Sequence, residues 1–111
     1  LLAGGETTVT VRGQGLGGRN QELALSAALA LPGTPRAVLL AGGTDGTDGP
    51  TEAAGAVVDG ETLGRATRMG LDARAYLHEN NSHRFFRALG ELVWTGPTRT
   101  NVMDCVVLLT G

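Results

Sequence analysis

Glycine-rich segments divide this chain into short apolar stretches, and this division limits the folds that it can adopt. The 111 residues include 18 glycines, with dense clusters at 13–18 and 42–49. Between these clusters lie a stretch of helix formers at 20–31 and the apolar stretch "AVLLA" at 37–41. A short apolar stretch bounded by glycine is typical of a strand covered on both faces. The pattern therefore predicts strands that alternate with helices.

The same alternation continues to the end of the sequence. Strands are predicted at 6–11, 37–41, 55–59, 92–95 and 105–111, and helices at 20–31, 61–70, 72–80 and 82–90. Asn20 and Ser82 are predicted helix N-caps, and Gly70 and Gly90 are predicted helix ends. This order predicts an α/β fold: a small layered domain with a largely parallel or mixed sheet flanked by helices. Helix 20–31 is apolar nearly all round, so we expect it to lie between the sheet and another layer.

Length and composition predict one soluble domain with a single core. A chain of 111 residues, 41% hydrophobic and 18% charged, falls well outside the disordered class. The low charged fraction, together with a start at Leu1, leads us to expect a piece of a longer polypeptide whose other part covers some of this surface. The net charge of −2 and the absence of a basic cluster argue against nucleic acid or an anionic membrane as a partner.

Arginine and cysteine usage restrict the chemistry further. All 9 basic residues are arginines, so the chain has no P-loop lysine, and any mechanism that needs a lysine must obtain it elsewhere. Cys105 is the single cysteine and is expected to be a small apolar residue in a reducing compartment. No stretch approaches the length of a membrane span. We therefore expect a cytoplasmic protein.

The first glycine cluster, "GQGLGG", matches the dinucleotide pattern G-x-G-x-x-G between a predicted strand and a predicted helix. The strand at 37–41 ends without the carboxylate that would bind a ribose, which disfavours a nicotinamide cofactor. Gly13, Gly15, Gly17 and Gly18 still allow backbone amides to approach a ligand, and Arg19 can clamp phosphate or carboxylate at the helix N-terminus. The alternative is a flexible surface loop with a solvated arginine.

The second cluster, "GGTDGTDG" at 42–49, follows the predicted buried strand at the edge where open α/β sheets bind ligands. Its acids do not match a calcium loop. Asp45 and Asp48 could hold a hydrated Mg²⁺, accept a proton from a substrate hydroxyl, or hydrogen-bond hydroxyl groups. The alternative is a pair of consecutive Asx turns without a ligand.

The third loop, "TGPTRTNVMD" at 95–104, could complete a polar pocket with the side chains of Thr98, Thr100 and Asn101. The spacing of His78 and His83 does not match a zinc site. We expect both residues at the surface or as helix caps. Four aromatic residues are predicted to lie in the core: Tyr76, Phe85, Phe86 and Trp94.

Three segments together, "GGETTVTVRGQGLGGRNQELAL", "GGTDGTDGPTEAAGAVVDG" and "TGPTRTNVMD", closely resemble the MOFRL domain. This is the C-terminal domain of class II glycerate 2-kinases, which are also labelled hydroxypyruvate reductases. The resemblance runs over essentially the whole chain, 1–111. It implies ATP-dependent phosphorylation of D-glycerate to 2-phosphoglycerate in the cleft of a two-domain enzyme. A Rossmann-like N-terminal domain would then supply a catalytic lysine.

The resemblance also implies roles for particular residues. Arg19 would stabilise charge on the transferring phosphoryl group, and Asp45 would be the second catalytic residue. Further residues would contact phosphate or substrate: Gly13, Gly15, Gly17, Gly18, Asn20, Thr44, Thr47, Asp48, Thr98, Thr100 and Asn101. ATP and Mg²⁺ would be the cofactors. Arg99 stands where the family usually has glycine, so its role is not given by the resemblance.

Three functions are compatible with these residues. The first is one half of a kinase, because phosphoryl transfer depends on positioning and electrostatics that anion-binding loops can supply. The second is a nicotinamide-dependent hydroxypyruvate reductase. The third is a non-catalytic module that binds a nucleotide or a sugar phosphate.

Overall fold

The computed structural model describes residues 2–5, 15–34, 36–44, 46–95 and 104–110. The elements in this part of the chain are β1 (Leu2–Gly5), α1 (Arg19–Ala30), β2 (Val38–Gly43), β3 (Gly55–Asp59), α2 (Thr62–Arg68), α3 (Ala73–His78), α4 (Ser82–Leu89), β4 (Leu92–Val93) and β5 (Asp104–Leu109). All four predicted helices, and the strands predicted from 37 onward, are confirmed to within a few residues. The strand predicted at 6–11 lies outside the described residues.

The strands form one sheet in the order β1-β5-β2-β3-β4. The layered α/β class is confirmed, but the expectation of a largely parallel or mixed sheet is wrong, because every described strand pair is antiparallel. The segment β1-α1-β2 does bring two strands into the same direction. However, β5 runs between them in the opposite direction, and β2 and β3 are joined without a helix. Alternation along the sequence could not reveal that the last strand lies between the first two.

Helix α1 is the centre of the fold. It packs against β2 and β3 on one side and against α2, α3 and α4 on others. Ala24, Leu25 and Ala28 have no exposed surface. The helix also buries polar side chains in its first turn, including Asn20 and Gln21. The prediction that this helix lies between the sheet and a second layer is confirmed.

Aromatic side chains fill the space between α1 and the other helices. Phe85 and Phe86 are fully buried, and the Phe85 ring contacts Tyr76 edge-on with centroids 5.6 Å apart. Trp94 is 58% exposed, so its predicted place in the core is wrong. It follows β4 directly and its ring lies edge-on to the His83 ring.

The sheet has one face covered by helices and one open face. Register places Leu40 directly beside Val57 and Val107, so these three side chains share a face. None of them belongs to the core that contains Ala41 and Val58. Further apolar residues of the open face are Val38, Val93, Cys105 and Leu109. Within the described chain, the sheet therefore presents an apolar surface that no helix covers.

The ion pairs of Arg65 attach α2 to the sheet. Arg65 donates to Glu91 through Nη2 at 2.8 Å and through Nε at 3.2 Å. Its Nη2 also donates to Asp59 at 3.3 Å. The hydrogen bond with Glu91 is the main reason that the pKa of Arg65 is raised.

None of the described helices is long and apolar enough to cross a membrane.

Candidate functional site

The N-terminus of α1 is capped by a carboxylate from another segment. Gly18 stands at the cap position and has no side chain to offer. Instead, Asp48 Oδ1 accepts from the Asn20 N–H at 2.9 Å, and Asp48 Oδ2 accepts from the Gln21 N–H at 2.8 Å. Asp48 is 2% exposed. A helix N-terminus attracts negative charge because its first amides lack partners. Here the protein itself supplies the anion.

This cap changes the interpretation of two predicted site residues. Asn20 is the second residue of the helix, so its prediction as N-cap is wrong. Asp48 was a candidate magnesium ligand or the centre of an Asx turn, yet its carboxylate accepts three hydrogen bonds from the first turn of α1. These hydrogen bonds give Asp48 a capping role, and its role as a magnesium ligand stays a prediction.

Arg19, the first residue of α1, forms a two-point ion pair with Asp104, the first residue of β5. Its Nη2 donates to Asp104 Oδ1 at 3.0 Å, and its Nε donates to Asp104 Oδ2. The side chain of Asp104 is 3% exposed, whereas that of Arg19 is 45% exposed. A planar guanidinium suits this side-by-side arrangement. The buried Asp104 carboxylate thus fixes the Arg19 guanidinium, while about half of the arginine side chain stays exposed to solvent.

The side chain of Asn20 joins the two carboxylates. Its Nδ2 donates to Asp48 Oδ1 at 3.2 Å and to Asp104 Oδ1 at 3.0 Å. Because both amide hydrogens face carboxylates, the orientation of the amide is fixed. Asn20 Oδ1 is buried and has no hydrogen-bond partner among the described residues. A buried carbonyl oxygen without a donor is uncommon in proteins, so this atom is suited to accept from a donor such as a hydroxyl group.

The glycine segment before α1 lies against the protein itself. The Gly15 N–H donates to the Glu79 carbonyl at 2.8 Å, and the His83 N–H donates to the Leu16 carbonyl at 2.8 Å. A Cβ at Gly17 would overlap Ser82 Oγ. Glycine is therefore required here so that the backbone can approach the start of α4. The prediction of Ser82 as N-cap is wrong: Asn81 stands at the cap position, and Ser82 is the buried first residue of α4.

A hydrogen-bonded chain continues from α1 to the turn at 48–51 and to α4. Gln21 Nε2 donates to Thr51 Oγ1 at 2.9 Å, and Gln21 Oε1 lies 3.0 Å from His83 Nδ1. Since the Gln21 oxygen can only accept, His83 Nδ1 carries the hydrogen. Burial, followed by the charges of Arg87 and Arg84, lowers the pKa of His83. The expectation of an ordinary surface or capping role for His83 is wrong, whereas His78 is exposed as expected.

The remaining predicted site residues fall into two groups. Thr44 is half-buried and Thr47 is exposed in the loop that follows β2. Register places Gly43, at the end of β2, beside Asp104, so this loop begins next to the ion pair. The other predicted residues lie outside the described part of the chain: Gly13, Asp45, Thr98, Thr100 and Asn101. In the described ranges, no three His, Cys, Asp or Glu side chains are grouped to hold a metal ion.

Sequence analysis assigned no role to Asp104 or Gln21, although both are central to this site. Asp104 ended the third loop motif, and Gln21 lay in a predicted helix. Their partners are 84 to 85 and 30 to 62 residues away in sequence. Gln21 lies in the polar first turn of α1, and Asp104 begins an apolar strand, so neither residue stood out in the sequence. Together, the fold and the site define a small α/β domain in which Asp48 caps the central helix and Asp104 fixes Arg19 at the start of that helix.

The chain belongs to the MOFRL family, whose model matches residues 1–104. It is 54% identical to the D-glycerate 2-kinase of Thermotoga maritima over 107 residues, which is 96% of this chain and 26% of that protein. A crystal structure of glycerate kinase from Thermotoga maritima superposes with a TM-score of 0.97 at 53% identity, covering 99% of this chain and 27% of the other.

Another relative, from Agrobacterium vitis, carries a hydroxypyruvate reductase name. It is 47% identical over 113 residues, which is 100% of this chain and 26% of that protein. The chain thus spans about a quarter of the length of the curated relatives that it matches. These comparisons confirm the resemblance that the three sequence motifs indicated.

Proposed function

We propose that this chain is the domain of a glycerate 2-kinase that supplies an arginine to an active site shared with another domain. The reaction is the transfer of a phosphoryl group from ATP to D-glycerate, which gives 2-phosphoglycerate. The observation that carries the proposal is the position of Arg19, which is half-exposed and fixed by a buried carboxylate at the start of α1. The proposal is further supported by relatives named glycerate kinase, to which the sequence of this chain is 53% to 54% identical.

In this proposal, Arg19 stabilises the negative charge that spreads over the phosphoryl oxygens during transfer. Asn20 Oδ1 accepts a hydrogen bond from a donor on the substrate, for which the hydroxyl groups of glycerate are suited. Asp48 keeps the helix start in place and makes no contact with phosphate. Asp45 and the third loop, with Thr98, Thr100 and Asn101, retain their proposed contacts with substrate. ATP supplies the phosphoryl group, and Mg²⁺ is the second proposed cofactor.

The charge of the site supports a partner domain. Arg19, Asp48 and Asp104 together carry one negative charge, which repels a phosphate unless further cations approach. This chain has no lysine to offer. The open apolar face of the sheet is a second surface that another domain could cover. We therefore propose an N-terminal Rossmann-like domain of the same cytoplasmic enzyme as the source of a lysine.

The reductase alternative is favoured by the hydroxypyruvate reductase names of two relatives. It requires a dinucleotide pyrophosphate at the N-terminus of the helix after the glycine cluster. In this chain, the Asp48 carboxylate takes the Asn20 and Gln21 amides that would bind the pyrophosphate. Strand β2 also ends in Gly42 and Gly43, without an acid for the ribose. The geometry thus supports the kinase better than the reductase.

The test is an assay of the full natural polypeptide that carries this sequence, with D-glycerate, ATP and Mg²⁺, beside an assay with hydroxypyruvate and NADH. We expect 2-phosphoglycerate, and a loss of at least about a hundredfold in kcat for Arg19→Ala, since electrostatic groups of this kind contribute a few kcal/mol. Arg68→Ala, an exposed arginine on α2, is the matched control. NADH oxidation without phosphorylation would favour the reductase. Ligand binding without either reaction would favour a sensing module.

A further inference from the structure

We propose that Asp104 is a positioning residue, whose function is to hold the guanidinium of Arg19 in the orientation needed for phosphoryl transfer. This inference rests on the proposed function and adds a residue to which sequence analysis gave no role. Its basis is geometric: a buried carboxylate is paired at two points with the one side chain in the α1 first turn that reaches outward.

The location of Asp104 makes it rigid. It is the first residue of β5, which lies between β1 and β2 in the sheet. Its direct neighbours in the register are Gly5 on β1 and Gly43 on β2. Both neighbours are glycines, so neither has a side chain beside that of Asp104. A carboxylate fixed to a central strand is a more precise support than one carried on a loop.

The burial of Asp104 also explains why the pair persists. A carboxylate with a 3% exposed side chain is costly unless a cation and hydrogen bonds compensate it. Arg19 supplies the cation, and Asn20 supplies a further donor at 3.0 Å. A free arginine side chain loses rotamer entropy when it is fixed. Because Asp104 fixes Arg19 on folding, that cost is not incurred in the transition state.

Asp104→Asn keeps an oxygen that can accept from Asn20, so we expect this substitution to act on the reaction through Arg19. A double-mutant cycle measures this dependence directly. We would compare four forms of the full natural polypeptide: wild type, Arg19→Ala, Asp104→Asn, and both changes together. For Asp104→Asn alone we expect at least a tenfold loss of kcat, with the KM for D-glycerate changed by less than about threefold. In the Arg19→Ala background, the same substitution should change kcat by less than about twofold.

Equal losses in both backgrounds would overturn the positioning role, because Asp104 would then act independently of Arg19. Glu91→Gln is the matched control, since it removes a carboxylate from the other two-point arginine pair, that of Arg65. It should leave kcat within about twofold. If Asp104→Asn does not fold, Asp104→Glu replaces it: the charge is kept but displaced by one methylene, and the same pattern of losses is expected.

The outcome for wild type separates the two proposals. A wild-type protein that forms no 2-phosphoglycerate overturns the proposed function, and the positioning role with it. A wild-type protein that forms 2-phosphoglycerate, while Asp104→Asn retains full kcat, overturns the positioning role alone.

Discussion

Individual glycines of the first cluster contact protein atoms, where sequence analysis had expected a ligand. Gly15 and Gly17 lie against Asn81 and Ser82, and a Cβ at Gly18 would overlap Asp48. Clustered glycines indicate that the backbone approaches other atoms closely at these positions. The pattern does not distinguish a ligand from the start of α4 or from the turn at 48–51. The glycines let the backbone pack closely before α1, and the adjacent Arg19 has the proposed role in phosphoryl transfer.

His83 should make the stability of the chain depend on pH near neutrality. Burial lowers its pKa in the folded state below the ordinary value of 6.5. As pH falls through about 6.5, the unfolded chain takes up a proton that the folded chain resists, so the free energy of unfolding decreases. His83→Asn keeps a donor for Gln21 but removes the titration. Urea unfolding from pH 7.5 to 5 should therefore show a steeper decrease for wild type than for His83→Asn.

The two proteins differ only at position 83, so the difference between their pH profiles reports on His83. The groups that face His83 are Arg84, Arg87 and Asp48, and all three stay in place in the variant. Parallel pH profiles for the two proteins would contradict this prediction.

Among the elements, α1 shows most clearly what local sequence rules can and cannot give. The helix and its position between layers were predictable from its run of helix formers and from its apolar surface. Its cap was not. Capping rules consider residues adjacent to the helix start, whereas the acceptor here is Asp48, 27 to 28 residues further along the chain. Folding of the second glycine cluster against the first creates the cap.

Asp48→Asn should destabilise the chain by about 2 kcal/mol, since caps and buried charged hydrogen bonds contribute about 1–3 kcal/mol each. Asparagine would place an NH₂ group where one carboxylate oxygen now accepts from a helix amide. Thermal and urea unfolding of the chain measure this loss.

The control is Asp72→Asn at the start of α3. Asp72 also caps its helix, accepting from the Ala75 N–H at 3.3 Å, but it is exposed to solvent. Asparagine is itself a good cap at an exposed position, so the loss should be below about 0.5 kcal/mol. If both substitutions cost the same, the interpretation of Asp48 as a buried cap is wrong.

For the whole molecule, the described helices and the strands from β2 onward were predictable, but β1 and the arrangement of the strands in the sheet were not. Periodicity and glycine boundaries report whether a segment is helical or extended. They carry no information about which strand lies beside which. The position of β5 between β1 and β2 is determined by contacts between the two ends of the sequence. That same position brings Asp104 to Arg19, which is why the site was only partly predictable.

Adjacent residues of β3 provide a test of the open face of the sheet. Val58 is 1% exposed and points into the core, whereas Val57 belongs to the open face. In this 111-residue chain, Val58→Ala should cost about 2 kcal/mol, because two buried methyl groups are lost. Val57→Ala should cost less than about 1 kcal/mol. Urea unfolding of both variants gives the comparison.

The same pair of substitutions in the full natural polypeptide tests what covers the face. If another domain packs on it, Val57→Ala should become nearly as costly as Val58→Ala. An unchanged small cost for Val57→Ala would show that this face stays exposed, which would contradict the proposal that the partner domain covers it.

The ion pair between Arg19 and Asp104 also has a consequence for the order of folding. These residues are separated by 85 positions in a chain of 111 residues. Contacts between distant residues form late because the intervening chain must first be organised. A nascent chain can form α1 and pair β2 with β3 before β5 has been synthesised, but its arginine would then have no carboxylate to hold it. We therefore expect the proposed phosphoryl-binding site to form only when the domain is complete, and a chain that lacks β5 to leave Arg19 without this carboxylate.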